Sequence, residues 1–217
     1  MTMRAMCGAL QRSGAAATAR RSMATYLPVP DKLTEVVHLS LLQEQPSEDL
    51  RRIWSEYHGG VDGAANVTGS VLDGDSGRLV FERGSSCPIF VLPLQRDGGY
   101  MVMLSQFKAG HLNLTYLEDF RNHPNAAEPY MTARLYTDFL EDKGLVLARA
   151  HLDTDRLSRE EAEHLLNCFV RVYTTPEMYE YVDQFNNKPT VFNFDDWAKF
   201  AMAEGIGCAA APATNDE

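Results

Sequence analysis

Cysteine is scarce in this sequence. Four cysteines occur in 217 residues, and no two of them form a Cys-x-x-Cys pair. Structural zinc sites and disulfide frameworks need clustered cysteines, so neither is expected. Long apolar runs are also missing, because charged residues or glycines interrupt every apolar stretch well short of the roughly 20 residues that cross a bilayer. The sequence therefore predicts no membrane insertion, no metal site and cysteines that stay reduced.

Basic residues are the second shortage. The chain has 20 lysines and arginines against 30 aspartates and glutamates, a formal net charge of −10. Four of the arginines lie in residues 1–30, which contain no acidic residue, so the rest of the chain carries 16 basic and 30 acidic residues, a charge of −14. An acidic body repels nucleic acids and anionic lipids, and we expect neither as a partner.

Residues 1–30 have the composition of a transit peptide. They are rich in arginine, alanine, serine and threonine and lack the apolar centre of a secretory signal. Arginine outweighs serine, which favours a mitochondrial over a plastid address; a frayed, alanine-rich tail is the alternative. We predict a mitochondrial transit peptide at 1–30, a single domain at 31–204 located in the mitochondrial matrix, and a flexible tail at 205–217.

Hydrophobic periodicity and turn residues predict the secondary structure. Strands are predicted within 31–42 and at 89–94, 100–107, 111–117 and 145–152. Helices are predicted at 48–57, at 131–140, after the capping box at 158–161, after Thr175-Pro176 and from Asp195. A mobile glycine-rich loop is predicted at 58–78. The short connections favour antiparallel pairing. The predicted fold is α+β, a mainly antiparallel β-sheet packed with helices in a single domain.

The hairpin at 89–107 is apolar on both faces, which a half-buried strand is not. It could be the centre of a sheet covered by helices on both sides. It could also leave one face partly open for a partner, where Met101 and Met103 would adapt to another surface.

No motif for catalysis or cofactor binding is present. The sequence contains no His-Glu-x-x-His, no phosphate-binding loop and no Gly-x-Gly-x-x-Gly. The stretch Asp73-Gly74-Asp75-Ser76-Gly77 lacks the context of a serine protease or a calcium loop, and we expect a flexible acidic turn there. We predict no catalytic residue, no cofactor and no metal ligand, which points to a binding protein.

Several stretches resemble the mitochondrial assembly factors that chaperone the β subunit of the F(1) sector of ATP synthase. The similar motifs follow in order and spacing over most of the chain: Ile53 to His58, Leu92 to Tyr100, Thr115 to His123, Tyr136 to Arg149 and Tyr179 to Asp196. Gln95 stands where the family pattern has proline. The resemblance implies a non-enzymatic chaperone that binds the free β subunit until the α subunit displaces it. We expect the protein to be monomeric when free.

A chaperone of this kind needs an apolar surface that its client can cover. Our candidate partner-binding residues, all placed on one open sheet face, are Tyr100, Val102, Phe107, Leu114 and Tyr116; the alternative is that they belong to the core. The rival function is a mitochondrial matrix enzyme with an unrecognised active site, which would use residues such as His123, Arg149 and Asp153. An enzyme predicts a closed pocket with convergent polar groups, whereas a chaperone predicts a broad apolar surface.

Overall fold

The computed structural model describes residues 29–59, 64–96 and 99–207. The predicted transit peptide therefore lies outside the described residues, apart from Val29 and Pro30. Most of the predicted tail lies outside them as well. Its described part, residues 205–207, packs against the domain, since the side chain of Ile206 is fully buried.

A six-stranded sheet forms the centre of the molecule. The strands are β1 (Val67–Asp73), β2 (Ile89–Arg96), β3 (Gly99–Lys108), β4 (His111–Tyr116), β5 (Met131–Tyr136) and β6 (Leu145–Leu152). Their order across the sheet is β1-β6-β5-β4-β3-β2, and every neighbouring pair is antiparallel. The predicted α+β fold with an antiparallel sheet is confirmed.

Eight α-helices occur in the part of the chain that the structure describes. They are α1 (Leu39–Gln43), α2 (Ser47–Gly59), α3 (Gly74–Ser86), α4 (Leu117–Asn122), α5 (Leu140–Lys143), α6 (Arg159–Thr174), α7 (Pro176–Asn187) and α8 (Phe194–Ala203). The predicted capping box is present at the start of α6, where Ser158 Oγ accepts from the Glu161 N–H and the Glu161 carboxylate accepts from the Ser158 N–H.

The two faces of the sheet differ in what covers them. Face A carries Phe90, Met103, Phe107, Leu114 and Ala133, and it forms the main core with α3, α6, α7 and α8. The opposite side, face B, carries Val102, Arg134, Tyr136, Leu147 and Arg149. Trp54 of α2 closes a second core on face B with Tyr136 and Leu147.

The predicted strand within 31–42 is wrong. This segment forms a short 3₁₀ helix, Leu33–Glu35, followed by α1. Leu33, Val36 and Val37 recur at helical spacing, and Leu33 and Leu42 pack in the second core. The apolar residues therefore serve a helical face and not an alternating strand.

The predicted mobile loop at 58–78 is also wrong, because most of this segment forms β1 and the start of α3. Asp73 is the N-cap of α3, with its carboxylate accepting from the Ser76 N–H. The glycines here permit close packing. A Cβ on Gly69 would lie 2.7 Å from His58 Cγ, and one on Gly77 would lie 2.5 Å from Val146 Cγ2.

The predicted helix at 131–140 is wrong, because only Leu140, the first residue of α5, is helical; residues 137–139 form a connection with a turn. Residues 131–136 form β5, in which Met131, Ala133 and Leu135 point to face A while Arg134 and Tyr136 point to face B. A period of two places the large apolar residues in the core, and this outweighs the moderate helix propensity of the segment.

The apolar hairpin does not lie at the centre of the sheet, because β2 is an edge strand. Its outer edge is covered by other groups. Asn186 donates to Ile89 O at 2.7 Å and accepts from Ile89 N–H, Trp197 Nε1 donates to Val91 O at 2.9 Å, and the Gly207 carbonyl accepts from Gln95 N–H at 2.6 Å. These contacts satisfy an edge that would otherwise pair with another chain.

Candidate partner-binding surfaces

The structure does not bring the five predicted residues together on one face. The strand register places Tyr100 and Val102 on face B, and it places Phe107, Leu114 and Tyr116 on face A. Successive residues of a strand point to opposite sides, so positions an odd number apart cannot share a face. The predicted surface therefore divides into two parts.

Two of the five residues belong to the core. Phe107 is 2% exposed, and its ring packs against Phe81 of α3 and Phe169 of α6, with centroids 5.6 and 5.4 Å away. Leu114 has no exposed surface. Both side chains stabilise the domain and have no surface left for a partner.

Tyr100 is the exposed member of the set. Its side chain is 47% exposed at the start of β3, and its ring centroid lies 6.2 Å from that of Phe194, the first residue of α8. Val102, on the same face two residues along β3, is half-buried. We call Tyr100, Val102 and Phe194 the hairpin patch. Tyr116 is half-buried on face A, where its ring lies 6.1 Å from that of Tyr130.

A groove between α7 and α8 was not predicted from the sequence. It is open to solvent, has a volume of about 560 Å³ and is lined by Glu180, Tyr181, Gln184, Val191, Asn193, Asp196, Lys199, Phe200 and Ala203. Tyr181 and Phe200 stack at 5.3 Å, and Val191 at the rim is 61% exposed. The sequence signal was small: a single valine within a polar turn.

Face B also carries a row of basic side chains. The register pairs Lys108 with His111, His111 with Arg134, and Arg134 with Arg149, so that four adjacent strands contribute one residue each. We call these four residues the basic row. It could not be predicted from the sequence, because the four positions come together only through the register of β3, β4, β5 and β6.

The middle of the basic row is held by main-chain groups and one carboxylate. The guanidinium of Arg134 donates to the carbonyls of Ala109 and Asp31. His111 Nε2 lies 3.2 Å from Asp31 Oδ1. Burial and the positive charge of Arg134 lower the pKa of His111, and the Asp31 carboxylate opposes this shift.

Arg149, at the end of the row, lies between two histidines. Its Nε donates to His151 Nε2 at 3.1 Å, and its Nη1 lies 3.4 Å from His58 Nε2. A guanidinium can only donate, so both histidines accept through neutral rings, and the remaining proton of His58, on Nδ1, is donated to the Trp54 carbonyl at 3.0 Å. Burial and the nearby arginines, including Arg159, lower the pKa of His58 to about 4. Arg149 is thus hydrogen-bonded by two neutral rings, which leave its positive charge in place.

The residues named for the rival enzyme are not joined by any contact in the described part of the chain. His123 lines an open depression with Asp119, Glu128 and Arg156, and Asp153 forms an ion pair with Arg156 at 3.1 Å. Arg149 contacts the histidines described above. Among residues 29–59, 64–96 and 99–207, no group of histidine, cysteine and acidic residues could hold a metal ion, and no helix is long and apolar enough to cross a membrane.

Comparison with known proteins gives consistent matches. The family model described as "ATP11 protein" matches residues 8–197. "ATP synthase mitochondrial F1 complex assembly factor 1" from Mus musculus is 26% identical over 187 residues, which cover 85% of this chain and 56% of that protein. The Danio rerio protein of the same name is 26% identical over 84% of this chain and 59% of its own length.

A fungal relative is more distant. "Protein atp11, mitochondrial" from Schizosaccharomyces pombe is 23% identical, over 67% of this chain and 51% of its own length. The chain thus spans a little over half the length of the curated relatives it matches. These matches confirm the resemblance inferred from the sequence motifs.

Proposed function

Because this chain belongs to the ATP11 protein family, we propose that it is an assembly factor for the F(1) sector of mitochondrial ATP synthase. The observation that carries the proposal is the similarity, over 187 residues, to a protein named as an F1 complex assembly factor. The proposal places the protein in the mitochondrial matrix, where it acts as a chaperone and not as an enzyme.

The finer proposal concerns the client. The protein binds the free β subunit, shields the apolar surface that later meets the α subunit, and leaves when α takes its place. A stand-in of this kind needs moderate affinity, because it must yield to the true subunit. Its own surface must be apolar enough to hold the client, while a net charge far from zero keeps it soluble.

We place the client contact at the hairpin patch. Tyr100 offers an exposed aromatic ring beside Phe194, and aromatic side chains combine a large apolar area with a polar edge that tolerates water when the client is absent. Of the five residues predicted from the sequence, Tyr100 and Val102 remain in the proposed contact. Tyr116 lies on the other face, and Phe107 and Leu114 lie in the core.

The client is tested by capture. The tagged full chain is mixed separately with purified ATP synthase β and α subunits, and the bound subunit is quantified. We expect the β subunit to be retained and the α subunit to pass through. Retention of α alone, or of neither subunit by a protein whose circular dichroism shows it folded, would contradict the proposal.

The contact is tested by a matched pair of substitutions. Tyr100→Asp should weaken β-subunit binding at least about tenfold, because a charge in the contact remains unpaired when the client covers it. Tyr57→Asp changes a tyrosine of similar exposure, 55%, on α2 and should leave the affinity within about twofold. Equal effects of the two substitutions would remove the hairpin patch from the contact, and a larger effect of Tyr57→Asp would move the contact to α2.

A further inference from the structure

The basic row is unusual in a chain of net charge −10. Like charges directly opposite each other on neighbouring strands destabilise a sheet. Arg134 and Arg149 nevertheless lie directly opposite each other, and His111 separates Arg134 from Lys108. A local arrangement that lowers stability indicates a functional site, because natural sequences depart from the rules of stable packing and pairing mainly at such sites.

The positive charge of this row is left uncancelled by the rest of the domain. Many of the other arginines pair with a carboxylate, for example Arg96 with Glu161 at 2.7 Å. Lys108, Arg134 and Arg149 form no ion pair with a carboxylate within the described ranges. The Asp31 carboxylate lies against His111, with Oδ1 3.2 Å from Nε2. The row therefore keeps its capacity to bind negative charge.

The row is open to solvent at Lys108, is partly covered toward Arg149, and has a definite size. Lys108 is exposed, the side chain of His111 is 39% exposed, and Arg134 and Arg149 are half-buried. Strands lie about 4.8 Å apart, so four strands span about 14 Å, the length of about four residues of extended chain. The neighbouring positions on face B are Gln106, Asn113, Thr132 and His151, whose side chains carry hydrogen-bonding groups.

From this geometry we propose that the basic row docks an extended, acidic segment of the protein's client. Under the proposed function, on which this step rests, that client is the β subunit. Carboxylates at alternate positions of such a segment would face the row. Residues 1–30 lack the chemistry of such a ligand, since they have four arginines and no acid. Long polyanions such as nucleic acids are disfavoured by the acidic remainder of the protein.

Two substitutions of opposite sign test the proposal. Lys108→Glu should weaken binding of the β subunit about threefold to tenfold, whereas Asp31→Asn, which removes the competing carboxylate, should tighten it about twofold to threefold. The matched controls are Arg78→Glu and Glu82→Gln, both at exposed positions of α3. Arg78 has a surface ion pair with the exposed Glu141. Both substitutions should leave the affinity unchanged. If the row served only the stability of the fold, Asp31→Asn would not increase the affinity for the β subunit.

A peptide probe separates this proposal from the identity of the client. An eight-residue peptide that alternates glutamate with serine should bind the full chain at low ionic strength, and one that alternates lysine with serine should not. If the β subunit is captured but Lys108→Glu weakens its binding no more than Arg78→Glu does, the proposal for the basic row is wrong and the proposed function stands. If β is not captured while the glutamate peptide follows the predicted order of variants, the proposed function fails and the row stands. If the β subunit is not captured and the glutamate peptide does not bind, both the proposed function and the proposal for the basic row are wrong.

Discussion

The neutral state of His58 is the clearest chemical constraint at the scale of single residues. Its ring is 2% exposed, touches Trp54 at a centroid distance of 4.2 Å and accepts from Arg149. Protonation would remove the acceptor and place a third positive charge beside Arg149 and Arg159. The folded protein therefore holds this histidine neutral down to a pKa of about 4.

Stability should consequently fall with pH in a defined window. The unfolded chain takes up a proton at His58 below about pH 6.5, whereas the folded chain does so only near pH 4. Protons thus favour the unfolded state, so the contribution is complete above pH 6.5 and is lost as the pH falls to 4, by about 1 to 3 kcal/mol after allowance for solvent. His58→Asn should flatten the pH dependence of the free energy of unfolding in denaturant titrations. Equal slopes for wild type and His58→Asn would show that His58 does not cause the loss of stability in this window.

Gly77 tests the packing of α3 on the sheet. A Cβ at this position would lie 2.5 Å from Val146 Cγ2, so Gly77→Ala should lower the free energy of unfolding by about 1 to 3 kcal/mol. Gly59→Ala meets nothing within 4 Å and should change it by less than about 1 kcal/mol. Adding Val146→Ala to Gly77→Ala should recover part of the loss. A denaturation series that shows no coupling between the two positions would be inconsistent with the close approach.

Among the secondary-structure elements, β2 stands out because side chains of α7 and α8 bond to its outer edge. The main-chain N–H and C=O groups of alternate residues of β2, at Ile89, Val91, Pro93 and Gln95, face away from β3. Pro93 has no N–H, and its position is one that needs none for pairing with β3. Proline therefore costs the sheet no hydrogen bond. Side chains from α7 and α8 satisfy the neighbouring groups, which ties two C-terminal helices to an edge that would otherwise promote aggregation.

Asn186→Ala should loosen this edge. It removes both hydrogen bonds to Ile89, and we expect a loss of about 1 to 3 kcal/mol in unfolding free energy and faster hydrogen exchange at the Ile89 amide. Asn187→Ala alters the next residue, which is exposed and donates to Asp183 within α7 and, at 3.4 Å, to the weak acceptor Cys87 Sγ. It should change stability by less than about 0.5 kcal/mol. Unchanged exchange at Ile89 in Asn186→Ala would show that this contact does not protect the strand.

Elements with local signals were predictable from the sequence. The capping box of α6 and the hairpin arms were confirmed because short-range chemistry determines them. The strand β1 and the strand β5 were missed because their identity depends on pairing with β6, between them in the sheet. The glycines of 58–78 indicated mobility locally, whereas Gly69 and Gly77 serve contacts with residues distant in sequence.

The distribution of charge and apolar surface is the property of the whole molecule that bears on function. Net charge was predictable from composition, but the gathering of Lys108, Arg134 and Arg149 on face B was not, since it depends on strand register. The division of the predicted contact residues between two faces was partly predictable: Val102 and Phe107 are an odd number apart in one strand. The exposure of Tyr100 and the burial of Leu114 required the complete packing.

Under the proposed function, this protein holds the β subunit only until the α subunit arrives. The most direct measurement forms the complex of the full chain with the β subunit, adds purified α subunit in increasing amounts and follows the three proteins by size-exclusion chromatography. We expect β to move into a complex with α while this protein returns to its free elution volume, with half-release near stoichiometric α. Retention of β in the presence of excess α, or a stable complex of all three proteins, would contradict it.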